Sequence, residues 1–257
     1  MSNEEALKHY DSKKYRTPDG YTSDIAVFTI LSKKREHKPP EVAIHLMLIR
    51  RSMKNAEGEP NIEAGRWALP GGFVQADETA FEAAARELAE ETGVKDIHLK
   101  HYGTYDQPGR DPRGWIISNA HYAIVNESYL AERKAADDAD DVQLFGLEEL
   151  EQLPLAFDHH RLIQDAIKEI KRDLLQTTAA KNFLPEEFTY SELQALLLTI
   201  TDDPAIKSSQ AFARKIKSLP FIEEAKGKTT VRTSKKPAQL YRFIEMDIIK
   251  PIYTARY

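Results

Sequence analysis

The chain reads as an α/β protein followed by a smaller α+β part, and three observations carry that reading. Short apolar, β-branched runs alternate with helical patterns as far as about residue 178; a break in the apolar periodicity follows; the order then becomes helix, turn, helix, hairpin. These features divide the sequence into residues 1–155, a connecting helix and linker over 156–184, and a small domain over 185–257. A length of 257 residues allows one large domain or two ordinary ones.

Residues 24–32, DIAVFTILS, form the first expected strand, 33–40 a polar turn, and 42–50, VAIHLMLIR, a second strand buried on both faces. The loop 51–66 is long enough to be functional. A helix is expected over 78–92. Asp77 or Thr79 can cap it, Glu82 completes a Thr-x-x-Glu box, and Gly93 can end it in a left-handed conformation. Phe81, Ala85, Leu88 and Thr92 recur at helical spacing and make its core face. Further strands are expected over 97–105, 115–125 and 142–146. A long helix, 158–178, carries an apolar stripe of Leu162, Ile163, Ala166, Ile167, Ile170 and Leu174.

The helix over 78–92 is also acidic. Glu87 and Glu90 are three apart and Glu87 and Glu91 four apart, so their carboxylates stack on one side and repel unless a positive charge intervenes. Arg86 can neutralise one of them, most simply Glu90. A hard divalent cation can satisfy all three, with oxygen ligands at about 2.1 Å and open positions for phosphate oxygens. The preceding Leu-Pro-Gly-Gly, with Gly71 and Gly72, lets backbone come close to such a site.

Gly72, five residues, Glu78, seven residues, then Arg86-Glu87-Leu88-x-Glu90-Glu91-x-Gly93-Val94 fills every fixed position of the Nudix box. The chain therefore resembles the Nudix hydrolases. That resemblance implies an α/β/α sandwich with a mixed sheet and Mg²⁺ (or Mn²⁺) held mainly by Glu87, Glu90 and Glu91. It also implies that Glu78 and Arg86 orient the ligands, and that the reaction is hydrolysis of a nucleoside diphosphate linked to another moiety. Gln107-Pro-Gly-Arg-Asp-Pro-Arg-Gly114 places Arg110 and Arg113 on a rigid turn that can hold guanidinium forks ready for a diphosphate or ribose-phosphate, although a turn with solvated arginines is the commoner role of such a loop. It is similar to a loop of Nudix ADP-ribose pyrophosphatases and their regulatory relatives, which implies ADP-ribose or a near relative as substrate, with AMP and ribose 5-phosphate as products. Of the acidic run 137–141, ordinarily a solvated loop, Asp137 or Asp138 is a candidate further metal ligand or general base by the same resemblance. His159 and His160 are candidate ligands too, although caps or surface residues are the commoner role at a helix start.

In the second part, Thr189-Tyr-Ser-Glu192 is another capping box opening an apolar helix to Ile200. A second helix follows at about 207–218, then strands at 229–233 and 239–245 about a Ser-Lys-Lys-Pro turn, which is the order of a winged helix. Net charge is −5 overall, −9 over 1–180 and +4 over 181–257, with an excess of +8 over 207–242. Such an excess is a footprint for phosphate backbone. Arg214, Lys215, Lys217, Lys235 and Lys236 are the candidate DNA-binding residues. Phe188-Thr-x-Ser-Glu-Leu-Gln194 and Pro237-Ala-x-Leu-Tyr-Arg-Phe243 look like segments of the Nudix-related transcriptional regulators of NAD metabolism, which implies duplex DNA as a partner and a homodimer. Two departures lean toward an enzyme: Gln210-Ala-Phe-Ala-Arg-Lys215 has fewer cations than the regulators' recognition helix, and the Nudix box is intact. The alternative for this part is a dimerisation appendage with solvated lysines.

The absence of cysteine fits a reducing, cytoplasmic setting. No apolar run approaches the roughly 18 residues of a membrane span, and Met1 to Tyr10 has no secretory character.

Overall fold

In a computed structural model, describing residues 2–55, 57–93, 98–125 and 142–244, the first part is built around one strand. This is β1 (Gly20–Arg35), which follows a short helix α1 (Asn3–Lys8). It pairs antiparallel with β2 (Lys38–Arg50) and, through Thr22 to Asp24, with β4 (Gly71–Phe73); it pairs parallel with β6 (Ile116–Ile124). Outside these, β5 (His98–Tyr105) lies against β6, while β3 (Trp67–Ala68) and β7 (Val142–Gly146) lie against β2. The sheet is mixed and seven-stranded.

Side chains alternate across β1, so the run DIAVF feeds two cores. Ile25 and Val27 join Met47, Ala123 and Val125 beneath Ala84 and Leu88 of α2 (Ala80–Thr92). Ala26 and Phe28 join Leu46, Leu48 and Tyr122 beneath Leu162, Ile163, Ala166, Ile170 and Leu174 of α3 (His159–Gln176). Burial on both faces explains the near-continuous apolar sequence, and the result is an α/β/α sandwich. A buried carboxylate fastens α3 down: Asp173 accepts hydrogen bonds from the Tyr122 hydroxyl and the Lys100 ammonium.

Three local expectations need correction. The polar stretch 33–40 is not a turn throughout: the β1–β2 ladder continues to Arg35 opposite Lys38, and His37, at φ 51°, makes the reversal with Glu36. Strand pairing needs backbone only, so charged side chains can continue it into solvent. In α2 the buried face is Ala83, Ala84 and Leu88, whereas Phe81 is 50% exposed and Ala85 exposed. The helix is rolled so that Glu87 and Glu91 turn toward β4. Finally, the first strand of the C-terminal hairpin begins at Ile222 and ends at Thr230 rather than spanning 229–233. Its charged residues hide the pattern, and it carries a bulge at Gly227 (φ 73°) whose carbonyls at Ala225 and Lys228 are met by the Gln239 amide at 2.9 and 3.2 Å.

The second part comprises β8 (Phe188–Thr189), α4 (Tyr190–Leu197), a one-turn α5 (Pro204–Lys207), α6 (Ser209–Ile216), β9 (Ile222–Thr230) and β10 (Ala238–Phe243). Its sheet order is β8-β10-β9. Both expected capping boxes form, Thr79 with Glu82 and Thr189 with Glu192. The buried Gln194 side chain donates to Ile206 O and accepts from the Ser209 hydroxyl at 3.2 Å, which fixes α4 against α5 and the start of α6. Phe183, Phe188, Leu193 and Phe212 continue the α3-side core without interruption.

One buried histidine gives the fold a pH dependence. Ser23 Oγ gives its proton to Ala80 O at 2.8 Å and so accepts from His121 Nδ1 at 3.1 Å. Burial, then the neighbouring His101, pushes His121 from its ordinary value down to about 4. The unfolded chain therefore takes up a proton at His121 near pH 6.5 that the native state refuses until about pH 4. Stability is fully present above pH 6.5 and falls by about 3 kcal/mol across that window. His121→Asn is expected to flatten the acid limb of a denaturation midpoint plotted against pH between 6.5 and 4; an unchanged limb would rule this group out.

Candidate active site

The capping box and Gly93, at φ 71°, fix the length and direction of α2, and the glutamates follow from it. Arg86 is the hub of their packing. Its guanidinium donates to Glu78 at 2.6 and 3.0 Å, to Glu87 at 2.7 Å, to Phe73 O at 3.1 Å, and to Glu90 at 3.3 Å. Glu90 is thus its longest carboxylate contact, where the spacing alone had pointed to it first. Arg86 clasps Glu78 through two nitrogens, and this pair ties the loop before α2 to the helix. The two partners stabilise each other's charged forms, Glu78 being held below and Arg86 above its ordinary value by their hydrogen bonds.

Glu91 is held differently. Its Oε2 accepts the Gly71 N–H at 2.8 Å. Burial, with the like charges of Glu87 and Asp24, pushes it up to about 7 despite that bond. Gly71 and Gly72 are required here for contact reasons. A Cβ on Gly72 would lie 2.2 Å from Glu87 Oε1, and one on Gly71, at φ 153°, would lie 2.3 Å from Ser23 O. Glu90 stands apart, with 60% of its side chain exposed.

Among the described residues, no group of three or more His, Cys, Asp or Glu side chains is gathered in a metal-holding arrangement. The donor set still fits a hard divalent cation. It is all oxygen, and a carboxylate driven toward neutrality by burial beside two others is relieved by a nearby positive charge.

A small cavity of about 80 Å³ opens beside Glu91 and the two glycines, and Arg51, Arg113 and Phe157 also line it. Phe157 adopts φ 50°, a left-handed conformation rare for an aromatic residue, and its ring lies against both guanidiniums, 4.9 Å from Arg51 and 5.0 Å from Arg113. Arg51 is held by Ile62 O at 2.9 Å and Asn61 Oδ1 at 3.0 Å, and burial followed by the charge of Arg113 lowers its pKa. Two guanidiniums on one cavity wall present fork donors suited to an anion, with Arg113 also holding Asp111. His159 lines the same cavity, buried and neutral: its Nδ1 accepts the Leu69 N–H at 2.9 Å and burial lowers its pKa.

Both arginines singled out on the 106–114 loop line this cavity. Arg113 is bound to Asp111 at 2.7 Å, and Arg110, with only 4% of its side chain exposed, grips Asp158 at 2.7 and 2.9 Å. Arg51, Asp24 and Phe157 went unremarked as site residues. For Phe157 the Leu155-Ala-Phe-Asp-His159 run at the start of α3 was the available signal. Asp137 and Asp138 lie outside the described residues.

On the winged part, Arg214, Lys215 and Lys217 project from the end of α6, and Lys235 and Lys236 from the β9–β10 loop, all exposed. The +8 excess is not all available, however. Lys207 pairs with Asp202, Lys217 with Glu224, Lys228 with Glu187, Arg232 with Glu192 and Arg242 with Glu223. Three of those five acids lie outside the 207–242 window, where the charge count missed them.

An α/β/α sandwich whose boxed glutamates abut a Gly-Gly strand, joined to a winged helix, defines a two-domain Nudix protein. The chain belongs to the Nudix family: the NUDIX domain model matches residues 22–166, and that of the NrtR DNA-binding winged helix domain matches residues 180–243. It is 30% identical over 250 residues to the ADPR responsive transcriptional repressor NtrR of Acinetobacter baylyi, across 96% of this chain and 91% of that protein. It is 37% identical over 163 residues to the ADP-ribose pyrophosphatase of Methanocaldococcus jannaschii, across 63% of this chain and 82% of that one. Among solved structures, NrtR of Shewanella oneidensis complexed with a 27mer DNA superposes with a TM-score of 0.68 at 26% identity, covering 87% of this chain and 93% of that one. A mutT/nudix family protein from Listeria innocua is 51% identical, with a TM-score of 0.55 over 62% of this chain and 99% of that one. No described helix is long and apolar enough to cross a membrane.

Proposed function

We propose that the chain is a divalent-metal-dependent hydrolase that cleaves the diphosphate of ADP-ribose, or of a closely related nucleoside diphosphate derivative, to AMP and ribose 5-phosphate. The observation that carries this is the meeting of Glu87 and Glu91, packed on Gly71 and Gly72, with the Arg51–Phe157–Arg113 wall. Glu87, Glu90 and Glu91 would hold Mg²⁺ or Mn²⁺, which when bound polarises a phosphoryl oxygen and acidifies a water. The rest is the work of the chain itself. Arg86 and Glu78 keep Glu87 in one rotamer, the Gly71 N–H keeps Glu91 in one, and Gly72 admits the diphosphate to contact distance. Arg51 and Arg113 neutralise the diphosphate and orient it. A carboxylate takes the proton of the attacking water, either Glu91 or an acidic residue of the 137–141 run. Residues 1–155 are proposed as the catalytic domain, with 156–184 as connector and Phe157 and His159 supplied to the site from its start.

A panel of ADP-ribose, NADH, diadenosine polyphosphates and nucleoside triphosphates, with products identified, tests the assignment. ADP-ribose is expected to give the highest kcat/KM; no Mg²⁺- or Mn²⁺-dependent product from any of them would end it. Arg51→Ala with Arg113→Ala is expected to raise KM for the diphosphate at least tenfold with a smaller change in kcat. Unchanged kinetics would remove the arginine wall from the substrate site.

A second reading has its own support. The two-domain likeness to the A. baylyi repressor spans nearly the whole chain, and the end of α6 is basic and exposed. On this reading residues 185–257 bind duplex DNA as part of a cytoplasmic homodimer, and ADP-ribose in the Nudix domain alters that binding. A mobility shift of the gene's own upstream DNA, with and without ADP-ribose, tests it.

A further inference from the structure

The one strongly basic stretch of the acidic first part is left without a role by everything above. Over 33–38, Lys33-Lys34-Arg35-Glu36-His37-Lys38 carries four cations and one anion, on a part whose net charge is −9. The β1–β2 ladder carries this stretch out beyond Phe28, the last residue of β1 paired with β6, and every residue from Ser32 to Lys38 is exposed. Its exposed side chains contribute little packing.

Its tip meets the winged part. His37 Nδ1 lies 3.0 Å from Val231 O, at the foot of the β9–β10 loop that carries Lys235 and Lys236. Lys34, Arg35 and Lys38 line the same cleft of about 810 Å³ as Val231 and Arg232. Lys34, Arg35 and Lys38 therefore share one cleft with Arg232 of the wing. The winged part needs such an addition, since five of its ten cations over 207–242 already hold carboxylates.

We propose that the tip of the β1–β2 hairpin is a second phosphate-contacting element, which binds the backbone of the same duplex as the adjacent wing. This rests on the reading of the winged part as DNA-binding. Charge complementarity selects the partner. A duplex presents one negative charge per roughly 1.7 Å of axis, and exposed lysines on a two-stranded ribbon beside a basic wing offer it the opposite charge. The contacts are to phosphate, so they add affinity and salt dependence without base preference.

The test uses the full chain and a mixed-sequence duplex, because nonspecific binding is almost wholly electrostatic. Three proteins are compared by titration at several salt concentrations: the unaltered chain, the triple variant Lys33→Ala, Lys34→Ala, Lys38→Ala, and the pair Arg214→Ala, Lys215→Ala. Arg35 is left in place because its Nε holds Pro39 O at 3.0 Å and shapes the hairpin. The triple variant is expected to bind at least tenfold more weakly near 0.1 M salt. Its slope of log K against log salt should be flatter by about 2 to 3, roughly 0.9 for each lost phosphate contact. Its hydrolysis rate and melting temperature should be unchanged. If affinity and slope equal those of the unaltered chain while the Arg214, Lys215 pair loses binding, the hairpin proposal falls and the winged-helix reading stands. If the unaltered chain itself fails to bind at low salt, both fall.

Discussion

Glu91→Gln should abolish nearly all turnover, by at least about a hundredfold in kcat, in a protein that folds as well as the unaltered chain or better. The amide is isosteric, and its oxygen can still accept the Gly71 N–H that the carboxylate accepts at 2.8 Å. What disappears is a negative charge that burial already disfavours, the group being pushed up to about 7. Removing it therefore relieves the native state while stripping the proposed cation of a ligand, an effect worth several kcal/mol of transition-state stabilisation. Glu87→Gln should cost comparable activity, but it also weakens the 2.7 Å bond from Arg86 and so should lower stability slightly. Glu90→Gln should be the mildest of the three, since most of its side chain is in solvent and its bond from Arg86 is the longest at 3.3 Å. Steady-state rates at saturating Mg²⁺ for the three variants give the ranking directly. A folded Glu91→Gln protein with the original kcat would show that the box no longer performs hydrolysis.

Much of this site can be read along the chain because its logic is local. The capping box at Thr79 and Glu82, the left-handed Gly93 and the carboxylates on successive turns lie within fifteen residues, and all are set by helix geometry. The roll of α2 was less accessible. Ala83, Ala84 and Ala85 are alike in hydropathy, so the pattern cannot tell which of them faces the sheet. The deciding fact is tertiary: β4 comes so near that Gly72 touches Glu87. The meeting of Arg113, which the sequence does mark, with Arg51 and Phe157, which it does not, was less legible still. They are far apart in sequence, each sits at a strand end or loop, and only the order β3-β2-β1-β6-β5 brings them together. Charge counting likewise sees a window and not its neighbours in space, which is why Glu187, Glu192 and Asp202 escaped the +8 estimate.

Arg110→Ala is expected to show itself first as a loss of stability, of about 3 kcal/mol, with the change in KM secondary. A rigid loop bearing Arg-Asp-Pro-Arg invites the reading of both arginines as substrate forks. In the structure the Arg110 guanidinium spends two of its nitrogens on Asp158, at 2.7 and 2.9 Å, with 4% of one side chain and 19% of the other exposed. Asp158 immediately precedes α3, between Phe157 of the arginine wall and His159, which holds Leu69. The pair therefore pins the 106–114 loop to the start of the helix that closes the site. Removing one partner of a buried, bidentate pair leaves the other charge uncompensated, which typically costs 3–5 kcal/mol; the exposure of Asp158 places the expectation at the lower end. Asp158→Ala should reproduce the loss, and the double variant should cost less than the sum of the two, because the second substitution removes the stranded charge. Denaturant midpoints for the two single variants and the double one decide it. If Arg110→Ala keeps its midpoint while KM rises tenfold or more, Arg110 leaves Asp158 to bind substrate and the strut assignment is wrong.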